Sequence, residues 1–117
     1  MANPNIAAAN SILGNTGVAT LTTSLVTLFT VPSNTVYKIN SITVANKSAS
    51  AATVDLTVSV DGTNDFYLGK TINVPDTTTL VFLTKDQAIY VPETGKMKAL
   101  ASAGTALDIV YSYEAIS

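Results

Sequence analysis

Apolar side chains recur at every second position over several short stretches of this chain, and this alternation constrains the fold more than any other feature. The clearest examples are residues 54–61 (Val-Asp-Leu-Thr-Val-Ser-Val-Asp) and 107–114 (Leu-Asp-Ile-Val-Tyr-Ser-Tyr-Glu), although Val110 interrupts the polar face of the second. Successive side chains of a β-strand point to opposite faces, so a period of two is typical of a strand with one buried face. The alternation predicts half-buried strands, with Val58 and Val60 among the buried residues.

Three of the four prolines directly follow a valine at the end of an apolar run, at Val31-Pro32, Val74-Pro75 and Val91-Pro92. Proline lacks the N–H of the hydrogen-bonded ladder and fixes φ, so each pair predicts the end of a strand and the start of a turn. Asp61-Gly62 predicts a hairpin turn, and the polar runs at 47–50 and 102–104 predict looser turns.

These signals predict an all-β fold, an antiparallel two-sheet β-sandwich with either jelly-roll or immunoglobulin-like topology. In residues 36–46 the apolar residues change parity between Ile39 and Ile42, so we expect a β-bulge near Asn40-Ser41. The predicted strands are 17–23, 25–31, 36–46, 52–60, 65–73, 79–84, 87–91, 96–101 and 106–115.

The 117 residues are predicted to form one domain, a β-sandwich over 16–117, preceded by an N-terminal arm over 1–15. The arm lacks the strand pattern, and its start and stop signals, Asn3-Pro4 and Gly14, favour a short helix over 4–13. A frayed tail and a docking arm both fit such a segment. Its apolar residues are the candidate assembly contacts, namely Ile6, Ile12 and Leu13.

The chain contains no His, Cys, Trp or Arg. These residue types supply most general bases, nucleophilic thiols, transition-metal ligands and bidentate phosphate contacts, so we expect no enzyme, no catalytic residues and no cofactor. Six lysines against eight acidic residues give a net charge of -2, and we expect no nucleic-acid partner. No apolar run approaches the about 18 residues of a membrane span, and no secretory signal is recognised, so we expect a soluble, unexported protein without a membrane partner.

Two local features could carry binding chemistry. Residues 61–65 (Asp-Gly-Thr-Asn-Asp) group oxygen-bearing side chains beside a glycine, but the spacing of a calcium loop is missing, and we predict a hairpin turn and no metal site. Five tyrosines offer stacking faces for a sugar. Tyr37, Tyr111 and Tyr113 have the parity of core residues, whereas Tyr67 and Tyr90 leave a carbohydrate-binding role open.

Charged residues make up only 12% of the chain, and threonines recur along the predicted strands. A surface with few charges suits broad contact with partners, because little charge must lose its water. Several strands in two sheets also leave sheet edges that need to be covered. The sequence therefore predicts a homo-oligomer, and we expect a trimer.

Four segments together resemble small virion structural proteins of tailed bacteriophages. The resemblance covers residues 20–117 and rests on residues 36–46, 54–62, 85–91 and 107–114, a pattern of strands and turns without an invariant motif. It implies a capsid decoration or cement protein that is made in the host cytoplasm and binds the major capsid protein or other virion proteins at the capsid surface, often as a trimer where capsomers meet. The alternatives are a neck, baseplate or fibre-attachment component, or a carbohydrate-binding adhesion module.

Overall fold

The computed structural model of the chain describes residues 11–84 and 87–117. This part of the chain contains no α-helix, and so no helix that could cross a membrane. Its strands lie within a few residues of the predicted ones, except that the first already begins at Ile12. They are β1 (Ile12–Thr20), β2 (Val26–Thr30), β3 (Val36–Asn46), β4 (Ala52–Ser59), β5 (Phe66–Val74), β6 (Thr79–Leu83), β7 (Ile89–Val91), β8 (Lys96–Ala101) and β9 (Leu107–Ile116).

The strands form two antiparallel sheets. Sheet A has the order β1-β9-β3-β6, with β7 also paired to β3, and sheet B has the order β2-β8-β4-β5. Buried side chains from both sheets form one hydrophobic cluster. The predicted antiparallel two-sheet β-sandwich is confirmed.

The pairing of the strands decides between the two predicted topologies. β1 pairs with β9, β2 with β8, β3 with β6 and β7, and β4 with β5, so the chain follows the path of one long hairpin. Rolling this hairpin up places β3 beside β9 in sheet A and β4 beside β8 in sheet B. Two sheets related in this way form a jelly roll.

The predicted bulge in β3 is confirmed. The register between β3 and β9 shifts between Ile39 and Ser41, which leaves Asn40 outside the pairing. The extra residue restores the parity, so Ile39 and Ile42 are both buried, with exposed fractions of 1% and 0%. On the side away from β9, β3 pairs with two strands that meet at the level of the bulge. β7 pairs with β3 up to Ile39, and β6 pairs with it from Ile42 onward.

The three valine-proline pairs lie at strand ends, as predicted, and their turns share one backbone conformation. The second residue after each proline has a positive φ, with values of 58° at Asn34, 50° at Thr77 and 66° at Thr94. This left-handed conformation reverses the chain, but it is unfavourable for a β-branched residue. Asn34 adopts this conformation readily. At Thr77 and Thr94 the turn therefore follows the position of the proline and not the preference of the threonine.

The core lies between the two sheets. Its largest fully buried side chains come from both sheets and from the segments that join them; they are Leu21, Val31, Ile39, Ile42, Val44, Val54, Leu56, Val74, Val91, Met97, Leu107 and Ile109. Most of them lie on the apolar parity of a predicted strand, so the alternation identified the buried face correctly for most of the chain.

One part of the alternation in β4 was predicted incorrectly. Val60 is 54% exposed, because β4 ends at Ser59 and Val60 lies in the turn beyond it. Thr57 and Ser59 are on the predicted polar face and yet are 1% and 0% exposed. Their hydroxyls are satisfied within the protein, since Thr57 donates to the Lys98 carbonyl at 3.5 Å and Ser59 donates to the Asp61 carboxylate at 3.1 Å.

An aromatic cluster joins the two sheets at one end of the sandwich. The Phe29 ring from sheet B lies 5.0 Å from the Tyr37 ring and 5.7 Å from the Tyr111 ring, and the Tyr37 and Tyr113 rings are stacked at 4.6 Å. Burial raises the pKa of Tyr37 and of Tyr111, and the neighbouring tyrosines add to the effect. The packing role predicted for these three tyrosines is confirmed. The Tyr111 ring also lies over Gly17 in β1, where a Cβ atom would collide with it.

Candidate assembly surfaces

Two of the three predicted assembly contacts lie at the start of β1. Ile12 pairs with Ile116 and Leu13 with Ala115 of β9, and their side chains are 55% and 60% exposed. The helix predicted over 4–13 is therefore wrong for these two residues, because their backbone is used in the ladder with β9. Ile6 and the rest of residues 1–10 lie outside the described residues. The division into an arm over 1–15 and a sandwich over 16–117 stays a prediction.

The outer face of sheet A carries an exposed row of β-branched residues that crosses four strands. Val18 of β1 lies opposite Val110 of β9, Val110 lies opposite Thr43 of β3, and Thr43 lies opposite Val81 of β6. The three valines are 71%, 40% and 57% exposed in that order along the row. We call these four residues the valine row. Directly opposed residues of paired strands share a face, so the row is a continuous stripe whose one polar side-chain group, the Thr43 hydroxyl, donates to the Val110 carbonyl at 3.3 Å.

The middle of this face is uncharged. The row beside the valine row is made of hydroxyl residues in register, Thr16, Ser112 and Ser41, and the two serine oxygens lie 2.9 Å apart. Among residues 11–84 and 87–117, the charges on this face occur only toward its ends, and they are paired. Lys47 lies 3.0 Å from Asp108 at one end, and Lys38 lies 4.0 Å from Glu114 at the other.

The carboxylate of Asp108 is held in place from two sides. Its Oδ1 accepts hydrogen bonds from the Thr20 hydroxyl at 2.7 Å and from Lys47 Nζ at 3.0 Å. The Thr20 hydrogen bond and then Lys47 lower the pKa of Asp108 below its ordinary value. The charge at this end of sheet A is therefore fixed and neutralised locally, which limits its electrostatic effect on the valine row.

In sheet B, charged side chains lie near the middles of β4, β5 and β8 instead of at the ends of the face. Lys98 Nζ lies 3.2 Å from the Asp65 carboxylate, Lys70 Nζ lies 4.6 Å from the centre of the Tyr67 ring, and Asp55 accepts a hydrogen bond from the Thr71 amide at 2.7 Å. A partner that covered this surface would have to remove water from several charges, which is costly. Of the two outer faces, that of sheet A is better suited to broad contact with another protein.

Residues 61–65 form the connection between β4 and β5, which pair antiparallel, as the hairpin prediction required. Asp61 Oδ1 accepts hydrogen bonds from the amides of Thr63 and Asn64, each at 2.8 Å, and Oδ2 accepts one from the Asn64 side chain at 2.8 Å. The carboxylate oxygens are thus used by the turn itself. Within residues 11–84 and 87–117, no group of three or more acidic side chains is placed to hold a metal ion.

The turn around Asp61 predicts an acid-sensitive contribution to stability. Hydrogen bonds from Asn64 and Thr63 hold the pKa of Asp61 well below its ordinary range, so its stabilisation is present above about pH 4 and is lost as the pH falls through the lowered pKa. We expect Asp61→Asn to lower the melting temperature at neutral pH, and we expect the gap to the wild type to narrow in acid. Thermal melts from neutral pH to about pH 2 measure this gap.

Asp76→Asn, in the turn between β5 and β6, is the matched control and should shift the melting curve less. A gap between Asp61→Asn and the wild type that stays constant or widens in acid would contradict the assignment.

The structure does not bring the two candidate sugar-binding tyrosines together. Tyr67 is 54% exposed on β5 of sheet B, and Tyr90 is 49% exposed on β7 of sheet A. Lys70 already occupies a position over the Tyr67 ring. The two rings therefore form no shared stacking platform for a sugar.

The valine row and the buried Asn46 were missed by the analysis of the sequence. Val110 was visible as an interruption of a polar face, but nothing in the sequence places Val18 and Val81 in line with it, because that depends on the register across four strands. Asn46 is 3% exposed at the end of β3, where its side chain bonds to the 48–50 loop and to Val74 of the other sheet.

No protein-family model and no curated protein sequence matches the chain. Among solved structures, a chain of the T13 particle of infectious bursal disease virus matches with a TM-score of 0.53 and 12% identity, and a chain of the Gx strain of that virus matches with a TM-score of 0.51 and 13% identity. Each match covers 92% of this chain but 31% and 33% of the viral chains, so the chain spans about a third of the length of these neighbours.

A chain of the cyanophage Pam1 capsid asymmetric unit aligns over 97% of this chain and 91% of its own length, at 15% identity, but its TM-score of 0.34 carries no argument. The two matches with the higher scores show the fold alone, because their identities are low. The chain has a jelly-roll fold, and it shares this fold with parts of these two chains from virus particles.

Proposed function

We propose that the chain is a non-enzymatic structural protein of a virion, and within that class a capsid decoration or cement protein of a tailed bacteriophage. The observation that carries this proposal is the fold match to virus-particle chains over 92% of the chain. The resemblance of residues 36–46 and 107–114 to small virion proteins of tailed phages supports the narrower class. In this proposal the chain is located at the capsid surface and is made in the host cytoplasm.

The outer face of sheet A is suited to broad contact with the surface of another protein. Burying a whole valine side chain stabilises a contact by about 1.5–3 kcal/mol, whereas an exposed ion pair contributes about 0–1 kcal/mol. The valine row therefore outweighs the two ion pairs at the ends of the face as a source of binding free energy. The proposed partner for this face is the major capsid protein.

The start of β1 is the proposed anchor beside that face. Ile12 and Leu13 are exposed, and Ile6 precedes them in the same apolar segment, so the three residues can add apolar contacts without removing water from a charge. A trimer placed where capsomers meet is the oligomer implied by the resemblance. Each copy then contributes one valine row and one anchor, and the contacts add up across the assembly.

The number of copies in purified virions tests the proposed function. We expect the chain to be a major band on a gel of purified virions, with hundreds of copies per particle, because decoration proteins cover repeated sites on the head. Copies in the tens would instead favour a neck, baseplate or fibre component. Absence of the chain from the virion would contradict the proposal.

A binding experiment with variant chains tests the proposed anchor. Heads that lack the chain are incubated with the purified wild type, with Leu13→Asp, and with Val60→Asp as the matched control, because Val60 is 54% exposed in the turn after β4. We expect Leu13→Asp to lose most of its occupancy and Val60→Asp to bind as the wild type does. Equal occupancy for all three chains would place the attachment surface elsewhere on the sandwich.

A further inference from the structure

The sheet edges of the sandwich differ in how well they are protected against pairing with another strand. β2 has five residues and an irregular register at Thr27, β5 carries Lys70 and a positive φ at Thr71, and β6 and β7 are short and separate. Short length, irregular pairing and lysine are devices that stop an edge from adding a strand. β1 has none of them: its nine residues contain no charge and no proline, and its register with β9 is unbroken.

No strand within residues 11–84 and 87–117 pairs with the outer edge of β1, which we call its open edge. The hydrogen bonds at both ends of β1 show which backbone groups face this edge. Ser11 exchanges two hydrogen bonds with Ser117, each 2.9 Å long, and the Leu21 amide donates to the Leu107 carbonyl at 2.8 Å. Backbone groups alternate sides along a strand, so the odd-numbered residues of β1 bond to β9. The N–H and C=O groups that point to the open edge are those of Ile12, Gly14, Thr16, Val18 and Thr20.

The open-edge residues of one copy are complementary to the same residues of a second copy. When a second β1 runs antiparallel about Thr16, each Thr16 meets its own copy, Gly14 of each chain lies opposite Val18 of the other, and Ile12 lies opposite Thr20. All five residues then face another open-edge residue, and both partners of each pair have backbone groups to exchange. Val18, which is 71% exposed, lies beside a glycine that leaves room for it.

We propose that two copies of the chain pair their β1 strands antiparallel about Thr16, which joins the two copies of sheet A into one continuous sheet. The strand that pairs with this edge is β1 of a second copy. In this register each open-edge residue meets another open-edge residue with free backbone groups, and no like charges face each other. Such a contact is two-fold and isologous, so it does not close a trimer. In a shell of trimers it links copies that belong to neighbouring trimers. In solution it joins two chains into a dimer where no other contact forms, and it joins trimers, which carry three such edges each, into larger assemblies.

A charge placed at Thr16 tests the two-fold axis directly. Thr16 is exposed, so Thr16→Lys and Thr16→Glu should leave the fold intact, which thermal melts check. Each substitution sets two like charges opposite each other across the axis, which is destabilising. We expect light scattering at tens of micromolar to show a lower mass than the wild type for either variant alone, half of it where the wild type is a dimer, and the wild-type mass for an equal mixture of the two. Thr16→Val, which adds no charge, should keep the wild-type mass.

Two results would overturn the proposal. One is a wild-type chain that stays a monomer or a simple trimer, which would leave the β1 edge open to a strand of another virion protein. The other is an unchanged mass for Thr16→Lys and Thr16→Glu, which would place any self-association on another surface. Because the measurement uses the purified chain alone, its outcome does not depend on the proposed location in a virion.

Discussion

Replacing Tyr111 with alanine is expected to destabilise the fold more than any other single change considered. The Tyr111 side chain is 5% exposed, its ring packs 5.7 Å from the Phe29 ring, and its hydroxyl donates to the Leu28 carbonyl at 3.3 Å. Truncation of a large buried aromatic residue costs about 3–5 kcal/mol, and a small domain has about 5–15 kcal/mol in total. Tyr111→Ala should therefore lose a large share of the free energy of unfolding.

Urea unfolding followed by circular dichroism measures this loss, and Tyr111→Phe is the matched control. The control keeps the ring and removes the hydroxyl, so it should cost only about 1 kcal/mol, the net value of one hydrogen bond. Equal losses for the two variants would mean that the contact between the sheets depends on the hydroxyl and not on the packing of the ring over Gly17.

Asn46→Asp is expected to have the second-largest effect, although the two side chains have almost the same shape. The Asn46 amide nitrogen donates to the carbonyl oxygens of Ser50 at 2.9 Å and Val74 at 3.0 Å, and its oxygen accepts from the Ser48 amide and hydroxyl. A carboxylate would turn an oxygen toward two carbonyl oxygens in a buried site. Each unsatisfied buried group costs about 1–3 kcal/mol, so we expect a loss of roughly 2–5 kcal/mol.

The pH dependence of Asn46→Asp separates this cause from a change in packing. Acid protonates the new carboxyl group and restores one donor, so the deficit should shrink as the pH falls. Asn73→Asp is the matched control, because Asn73 is exposed in the neighbouring part of β5. We expect it to unfold at nearly the wild-type urea concentration. A deficit for Asn46→Asp that is the same at neutral and acidic pH would contradict the role given to the two donors.

Both variants test contacts between the sheets, and the assembly surfaces lie elsewhere. Tyr111 and Asn46 face inward, whereas the valine row and the open edge of β1 face outward from sheet A. A variant that weakens the sandwich should therefore reduce assembly only by lowering the amount of folded chain. Thr16→Lys should reduce assembly without lowering the amount of folded chain, because it changes an exposed position and leaves the core as it is.

The local structure of this protein was determined by the sequence alone. Alternation with a period of two depends only on neighbouring residues, and it placed the strands from β2 to β9 within a few residues. The prolines after Val31, Val74 and Val91 marked strand ends because proline cannot donate to the ladder. The parity change between Ile39 and Ile42 identified the bulge at Asn40, since only an extra residue keeps both side chains in the core.

The topology and the surfaces were decided by the tertiary structure. β1 pairs with β9 from the other end of the chain, and no local pattern tells a strand which distant strand it will meet, so the jelly roll could not be separated from the immunoglobulin-like alternative. The start of β1 shows the same limit. Gly14 and the weak alternation over 12–15 favoured a helix or a tail, yet pairing with Ile116 and its neighbours holds these residues in a strand. The valine row exists only because four strands align in one register, and Asn46 is buried only because its partners come from a loop and from the other sheet.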